Sequence, residues 1–195
     1  RESVQAVLAV SSLLEDTYLV MATRNGQIKR MHLPLLRNIN RSGLNAFKMR
    51  PNDELVSACL AGKDEDVILV TRQGMSIRFP SRQVTARQRA AGGLKGIALE
   101  PRDHVVSLDV VDDEGYLLII GRKGYGKLSL LRHYRPQNRG GKGLITLKVT
   151  TKTGPVAVKS DVMYQYKVEL PYGARSTVSN SCLVASRYLS PGKIS

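Results

Sequence analysis

Residues 122–143, RKGYGKLSLLRHYRPQNRGGKG, decide the fold. Lys123-Gly124 is a hairpin-type turn, since glycine enters the left-handed backbone of such turns without a steric penalty. A short strand follows, Lys127-Leu128-Ser129-Leu130-Leu131. A loop of glycines and bases comes next: Gln137, Asn138, Arg139, Gly140, Gly141, Lys142 and Gly143.

Working outward, this layout occurs twice more upstream. The turn glycines Gly26, Gly74 and Gly124 are 48 and 50 residues apart. An apolar strand precedes each: Tyr18-Leu19-Val20-Met21-Ala22, Val67-Ile68-Leu69-Val70 and Tyr116-Leu117-Leu118-Ile119-Ile120. Arg24, Arg72 and Arg122 stand two residues before the glycines, and Lys29, Arg30, Arg78 and Lys127 follow them. Arg41-Ser42-Gly43, Arg89-Ala90-Ala91-Gly92-Gly93 and Arg139-Gly140-Gly141 keep the same period. So do acidic turns before apolar runs: Asp53-Glu54 before Leu55, Asp103-His104 before Val105, with Pro155-Val156-Ala157-Val158 near the next place.

A period near 50 made of short strands, punctuated by Gly and Pro, predicts an all-β, propeller-like array. Continuously apolar strands such as Ile68-Leu69-Val70 suit sheets covered on both faces by neighbouring blades. Residues 1–162 divide into about three blades, near 12–60, 61–110 and 111–162. Residues 4–10 read as a strand left from a preceding blade, and residues 81–89 as the only helix-like stretch. Residues 163–195 lose the pattern; they are either a divergent part of a further blade or sequence unrelated to the repeat.

The chain has 30 Lys+Arg against 16 Asp+Glu, a net +14, of which +11 lies in residues 1–162. Charge that follows the repeat points to a polyanion. No apolar run approaches the roughly 18–20 residues of a spanning helix, and no long helix pairs an apolar with a basic face, which disfavours a membrane partner. With 5% aromatics and no Trp, the chain lacks stacking platforms for single-stranded bases. It is better suited to phosphates than to bases. Arg1-Glu2-Ser3 shows no signal-peptide pattern, and the sequence reads as a piece of a larger cytoplasmic protein. Cys59 and Cys182 have no metal-ligand spacing, and Cys59 reads as a buried hydrophobe.

The expected contacts to duplex DNA are Arg24, Lys29, Arg30, Arg72, Arg78, Arg122, Lys127, Arg139 and Lys142, arrayed as a curved basic rim that bends the duplex. For any one of them the plain alternative is a charged strand end that resists edge pairing. A protein-binding propeller whose charge serves solubility is the competing reading of the whole. In the 137–143 loop, Gly140, Gly141 and Gly143 let the backbone approach a partner and Arg139 and Lys142 supply charge; an inter-blade turn is its plain alternative. Gly124-Tyr125-Gly126-Lys127 lacks P-loop spacing. The acidic clusters Asp64-Glu65-Asp66 and Asp112-Asp113-Glu114 read as solvated turns. His32, His104 and His133 are isolated, no catalytic or metal constellation stands out, and no cofactor is expected in this stretch.

These residues resemble the C-terminal domain of bacterial DNA gyrase A and its topoisomerase IV paralogue. The matching segments are residues 21–30 (MATRNGQIKR), 52–56 (NDELV), 71–74 (TRQG) with 77–79 (IRF), 93–97 (GLKGI) and 124–127 (GYGK). The resemblance implies a six-bladed β-pinwheel whose blades share strands and whose rim wraps duplex DNA. It implies service to a type II topoisomerase that introduces negative supercoils with ATP and Mg2+ used elsewhere. The implied partners are gyrase B and the N-terminal part of the same polypeptide, in an A2B2 assembly in the cytoplasm, at the nucleoid. It also makes residues 137–143 a match at six of seven positions to the family's Gln-Arg-Arg-Gly-Gly-Lys-Gly box, with Asn138 in place of Arg.

Overall fold

In the computed structural model the residues described are 4–10, 13 and 16–157. The end of the third expected blade and all of residues 163–195 lie outside them. Three antiparallel hairpins repeat one design. β1 (Tyr18–Thr23) turns into β2 (Gln27–His32), β4 (Asp66–Thr71) into β5 (Met75–Pro80), and β8 (Tyr116–Ile120) into β9 (Gly126–Leu130). Gly26, Gly74 and Gly124 close the turns at φ of 79, 80 and 82°, a region where a side chain is strained.

The acidic landmarks fasten these turns. Asp53 accepts from the Asn25 N–H at 2.9 Å and from the Thr23 hydroxyl at 2.7 Å. Asp103 accepts from the Gln73 N–H at 3.0 Å. The third turn has Gly121 where the others have Thr, and there Lys123 N–H donates to the Thr153 carbonyl at 3.3 Å.

A third strand joins each of the first two hairpins: β3 (Leu55–Ala61) beside β1 and β7 (Val105–Val111) beside β4. The fourth strand is borrowed from the following copy. β6 (Leu94–Lys95) pairs with β2, and β10 (Leu144–Ile145) pairs with β5. The sheet orders are therefore β3-β1-β2-β6 and β10-β5-β4-β7, with β8-β9 as a third. Val156 bridges Gly121, the place that Val105 and Leu55 hold in the earlier copies.

Both faces of the central strands are buried, so the alternation along each strand feeds two cores. Val67 and Leu69 of β4 join Val20, Ala22 and Ile28 in one; Ile68 and Val70 join Leu117, Ile119 and Leu131 in the next. Each such side chain stabilises the fold by about 1.5–3 kcal/mol. The other face of the first sheet packs Leu19, Met21, Met31 and Phe47, with Ala6, Leu8 and Leu13 against it.

Two expectations are corrected. Residues 4–10 form no strand; they lay alternate side chains on the third core while Val4, Val7 and Val10 face solvent, so a period of two arises without a ladder. Residues 81–89 are not a helix beyond the short 3-10 turn Ser81–Gln83. Equivalent turns, Leu33–Leu36 and Leu131–His133, follow β2 and β9. Among the described residues no helix is long and apolar enough to cross a membrane.

Candidate nucleic-acid interface

The nine expected DNA-contacting bases separate by position on the strands. Residues 24, 72 and 122 sit on the hairpin turns, outside the ladder. Their backbone N–H groups donate to the carbonyls of Glu54, His104 and Pro155, each at 2.8 Å. The carbonyls of Arg24 and Arg72 accept from Val105 and Val156 of later copies, both at 2.9 Å. The turns are thus pinned while the side chains of Arg24 and Arg122 are exposed and that of Arg72 is half-buried. Arg24 forms an exposed ion pair with Glu54 at 2.7 Å. Burial, then the charges of Arg24 and Arg72, hold His104 below the usual imidazole range.

Lys29, Arg30 and Arg78 lie within β2 and β5, and the structure buries their side chains. Lys29 is wholly buried, and its ammonium donates to the carbonyls of Ala46 at 2.7 Å, Ala91 at 2.9 Å and Arg89. Burial and the nearby Arg87 charge lower its pKa. Arg30 is buried over the Tyr18 ring, 3.5 Å from its centroid, and donates to the Lys63 carbonyl of the next copy. Burial lowers its pKa while Tyr18 and Asp64 oppose the shift. Arg78, 5% exposed, donates to Asp66 at 2.8 Å and to Asp113 at 2.7 Å. These bases are buried and engaged by protein oxygens, although the buried Arg30 Nε has no partner among the described residues. By the same ion pairs, Asp66 and Asp113 are partners of Arg78 rather than purely solvated turn residues.

Lys127 falls at the position equivalent to Lys29, yet it is exposed, donating to the Thr146 carbonyl at 3.2 Å. The 137–143 loop runs along the outer edge of β5. Gln137 N–H donates to Arg78 O, Gly140 N–H to Gly96 O, and Ala98 N–H to Gly141 O, all at 2.8 Å. The Gly143 φ is 79°, and a Cβ there would collide with the Ser76 carbonyl. Arg139 is half-buried, with its backbone N–H and Nε donating to Gln83 and its Nη1 to the Lys95 carbonyl. Lys142 is exposed beside Glu100 at 3.2 Å.

The preceding copy repeats this path along β2. Arg87 N–H donates to Arg30 O at 2.9 Å, and Lys48 N–H to Ala91 O at 3.2 Å. Arg87, Arg89 and Lys95 on this segment are exposed. The sequence reading did not count them among the candidate bases, although Arg89 marked the repeat. Because Arg139 reaches the Lys95 carbonyl, the two loops meet, and Arg89, Lys95 and Lys142 continue one outer strip. Among the described residues no group of three or more His, Cys, Asp or Glu could hold a metal ion. The strip can attract and align an extended anion.

A family model described as "DNA gyrase C-terminal domain, beta-propeller" matches residues 17–58, 65–112 and 115–154. DNA gyrase A of Dehalogenimonas lykanthroporepellens is 42% identical over 167 residues, 86% of this chain and 20% of that protein. The Staphylococcus aureus counterpart is 39% identical over 158 residues, 80% of this chain and 18% of that protein. The chain thus spans about a fifth of the length of these relatives. A solved DNA gyrase A C-terminal domain superposes with a TM-score of 0.69 at 30% identity, over 75% of this chain and 49% of that one. The C-terminal domain of a DNA topoisomerase IV gives 0.69 at 21% identity, over 75% and 46%, which speaks to the fold alone.

Proposed function

This chain belongs to the DNA gyrase C-terminal domain family, and on that footing we propose that it binds duplex DNA through its phosphates and bends it along the outer strip. The observation that carries the reading is the strip itself: exposed Arg89 and Lys95 lie on the loop along β2, and exposed Lys142 lies on the equivalent loop along β5. Curvature follows if later copies continue the two basic loops along β2 and β5, because a stiff duplex held at successive phosphates must bend to meet them. Sequence would enter only through deformability.

In the whole enzyme this bending would wrap DNA for strand passage and negative supercoiling by a type II topoisomerase. ATP and Mg2+ would act elsewhere in the assembly, with gyrase B and the remainder of gyrase A as partners. The 42% and 39% identities to gyrase A proteins support gyrase over topoisomerase IV.

A salt titration with a duplex of about 40 base pairs tests the reading. Replacing Lys95 and Lys142 together by alanine should lower the slope of log affinity against log salt by about 0.9 for each phosphate no longer neutralised. A wild-type chain that gives no salt-sensitive binding would favour a protein-binding propeller instead.

A further inference from the structure

Successive junctions on the outer strip are built differently. Where the second and third copies meet, Arg139 is consumed as a latch. Its backbone N–H donates to Gln83 Oε1 at 2.8 Å, its Nε to Gln83 O at 3.2 Å, and its Nη1 to the Lys95 carbonyl. The Gln83 amide completes the latch by donating to Gln137 O at 3.3 Å.

Where the first and second copies meet, Arg89 holds the equivalent place. The residue equivalent to Gln83 is Leu35, which carries no carboxamide. Arg89 is exposed, and only its carbonyl is engaged, by Lys29. Its guanidinium makes no hydrogen bond or ion pair among the described residues.

Arg89 also lines a recess of about 260 Å³, together with Asn38, Asn40, Gly43, Leu44, Asn45 and Ala90. No acid lines it. Asn45 Oδ1 accepts from Phe47 N–H at 3.1 Å, which leaves its NH2 as the group still able to donate. The side chains of Asn38 and Asn40 make no hydrogen bond among the described residues. The space is below the roughly 300–1,000 Å³ of cofactor-sized sites. One positive charge, several N–H donors and no carboxylate define the complement: a small anion rich in acceptors.

We propose that this recess seats one phosphodiester of the duplex backbone, with Arg89 supplying the charge and Asn38, Asn40 and Asn45 the further donors. The inference rests on the DNA-binding reading and assigns it a specific anchor. The box-like loop that drew attention in the sequence is, by contrast, held shut by its own arginine.

The test uses the full 195-residue chain and a labelled duplex of about 40 base pairs, followed by fluorescence anisotropy across a NaCl series. Arg89→Ala should reduce the salt slope by about 0.9, one phosphate's worth, and Arg89→Lys should restore it. The Asn38→Ala/Asn40→Ala pair should weaken binding about fivefold with the slope unchanged. Arg139→Ala should lower the melting temperature, whereas Arg89→Ala should leave it alone. If alanine at 89 does perturb folding, Arg89→Gln, which keeps the stem, gives the same readout. Wild-type slope and affinity in Arg89→Ala and Arg89→Gln overturn the seat and leave DNA binding standing. Absence of salt-sensitive binding by the wild type overturns both. Thermal melts in inorganic phosphate separate the source. Stabilisation of wild type but not of Arg89→Ala, with equal duplex affinities, would make this a free-oxyanion site and overturn the assignment.

Discussion

Arg78 reaches across a sheet junction to Asp113, Nη1 to Oδ1 at 2.7 Å, while its Nε holds Asp66 on its own hairpin. The two acids are unequal: Asp66 is 14% exposed and Asp113 73%. Arg78→Ala should therefore cost about 2–4 kcal/mol, because it strips a nearly buried carboxylate of its partner and removes a packed stem. Asp113→Ala should cost less than about 1 kcal/mol, as an exposed partner does. Urea unfolding of both variants checks the ranking, and equal losses would refute it.

The turn glycines give a second contrast. At Gly74 a Cβ would strike the Leu147 carbonyl, whereas at Gly124 nothing lies within 4 Å, and both have positive φ. Gly124→Ala should lose only the left-handed penalty of about 1–2 kcal/mol. Gly74→Ala must also displace the segment after β10, and should melt far lower or fail to fold. Circular dichroism melts of the two variants side by side decide this.

Asp109 carries the pH dependence. It sits on β7 opposite Ile68, 8% exposed, and burial pushes its carboxyl up to about 7, with the Val110 N–H pulling the other way. Because the folded pKa lies above the unfolded one, the folded chain binds the proton more tightly between about pH 4 and 7. The stability this gives is complete below about pH 4 and lost as pH rises through 7. Asp109→Asn should match wild type in acid and melt several degrees higher at pH 8, each kcal/mol being worth about 2–4 °C at this chain length. Parallel melting curves for the two proteins across that range would refute it.

The repeat was legible because its marks are local. Gly26, Gly74 and Gly124 declare their backbone, and strands such as Val67-Ile68-Leu69-Val70 declare burial on both faces. Strand exchange was not legible from patterning, since β6 and β10 are two residues each and carry no period. Nor was the fate of each charge. Lys29 and Lys127 occupy the same place in the repeat, yet one is wholly buried and the other exposed. What separates them is which carbonyls the folded loops bring near, a tertiary fact. The same holds for Arg89 and Arg139, whose difference rests on Leu35 against Gln83, far from either loop in the chain.

The borrowed strands also govern how the chain can be cut. Ending it at the sequence boundary near residue 110 would remove Leu144 and Ile145 and strip β5 of its outer partner. A stop codon placed just past Ile145 keeps that ladder but leaves most of a third module attached, its β8-β9 hairpin included. Any minimal version must therefore carry surplus chain, and modules can be shuffled between relatives only with their downstream neighbour's first crossing segment included.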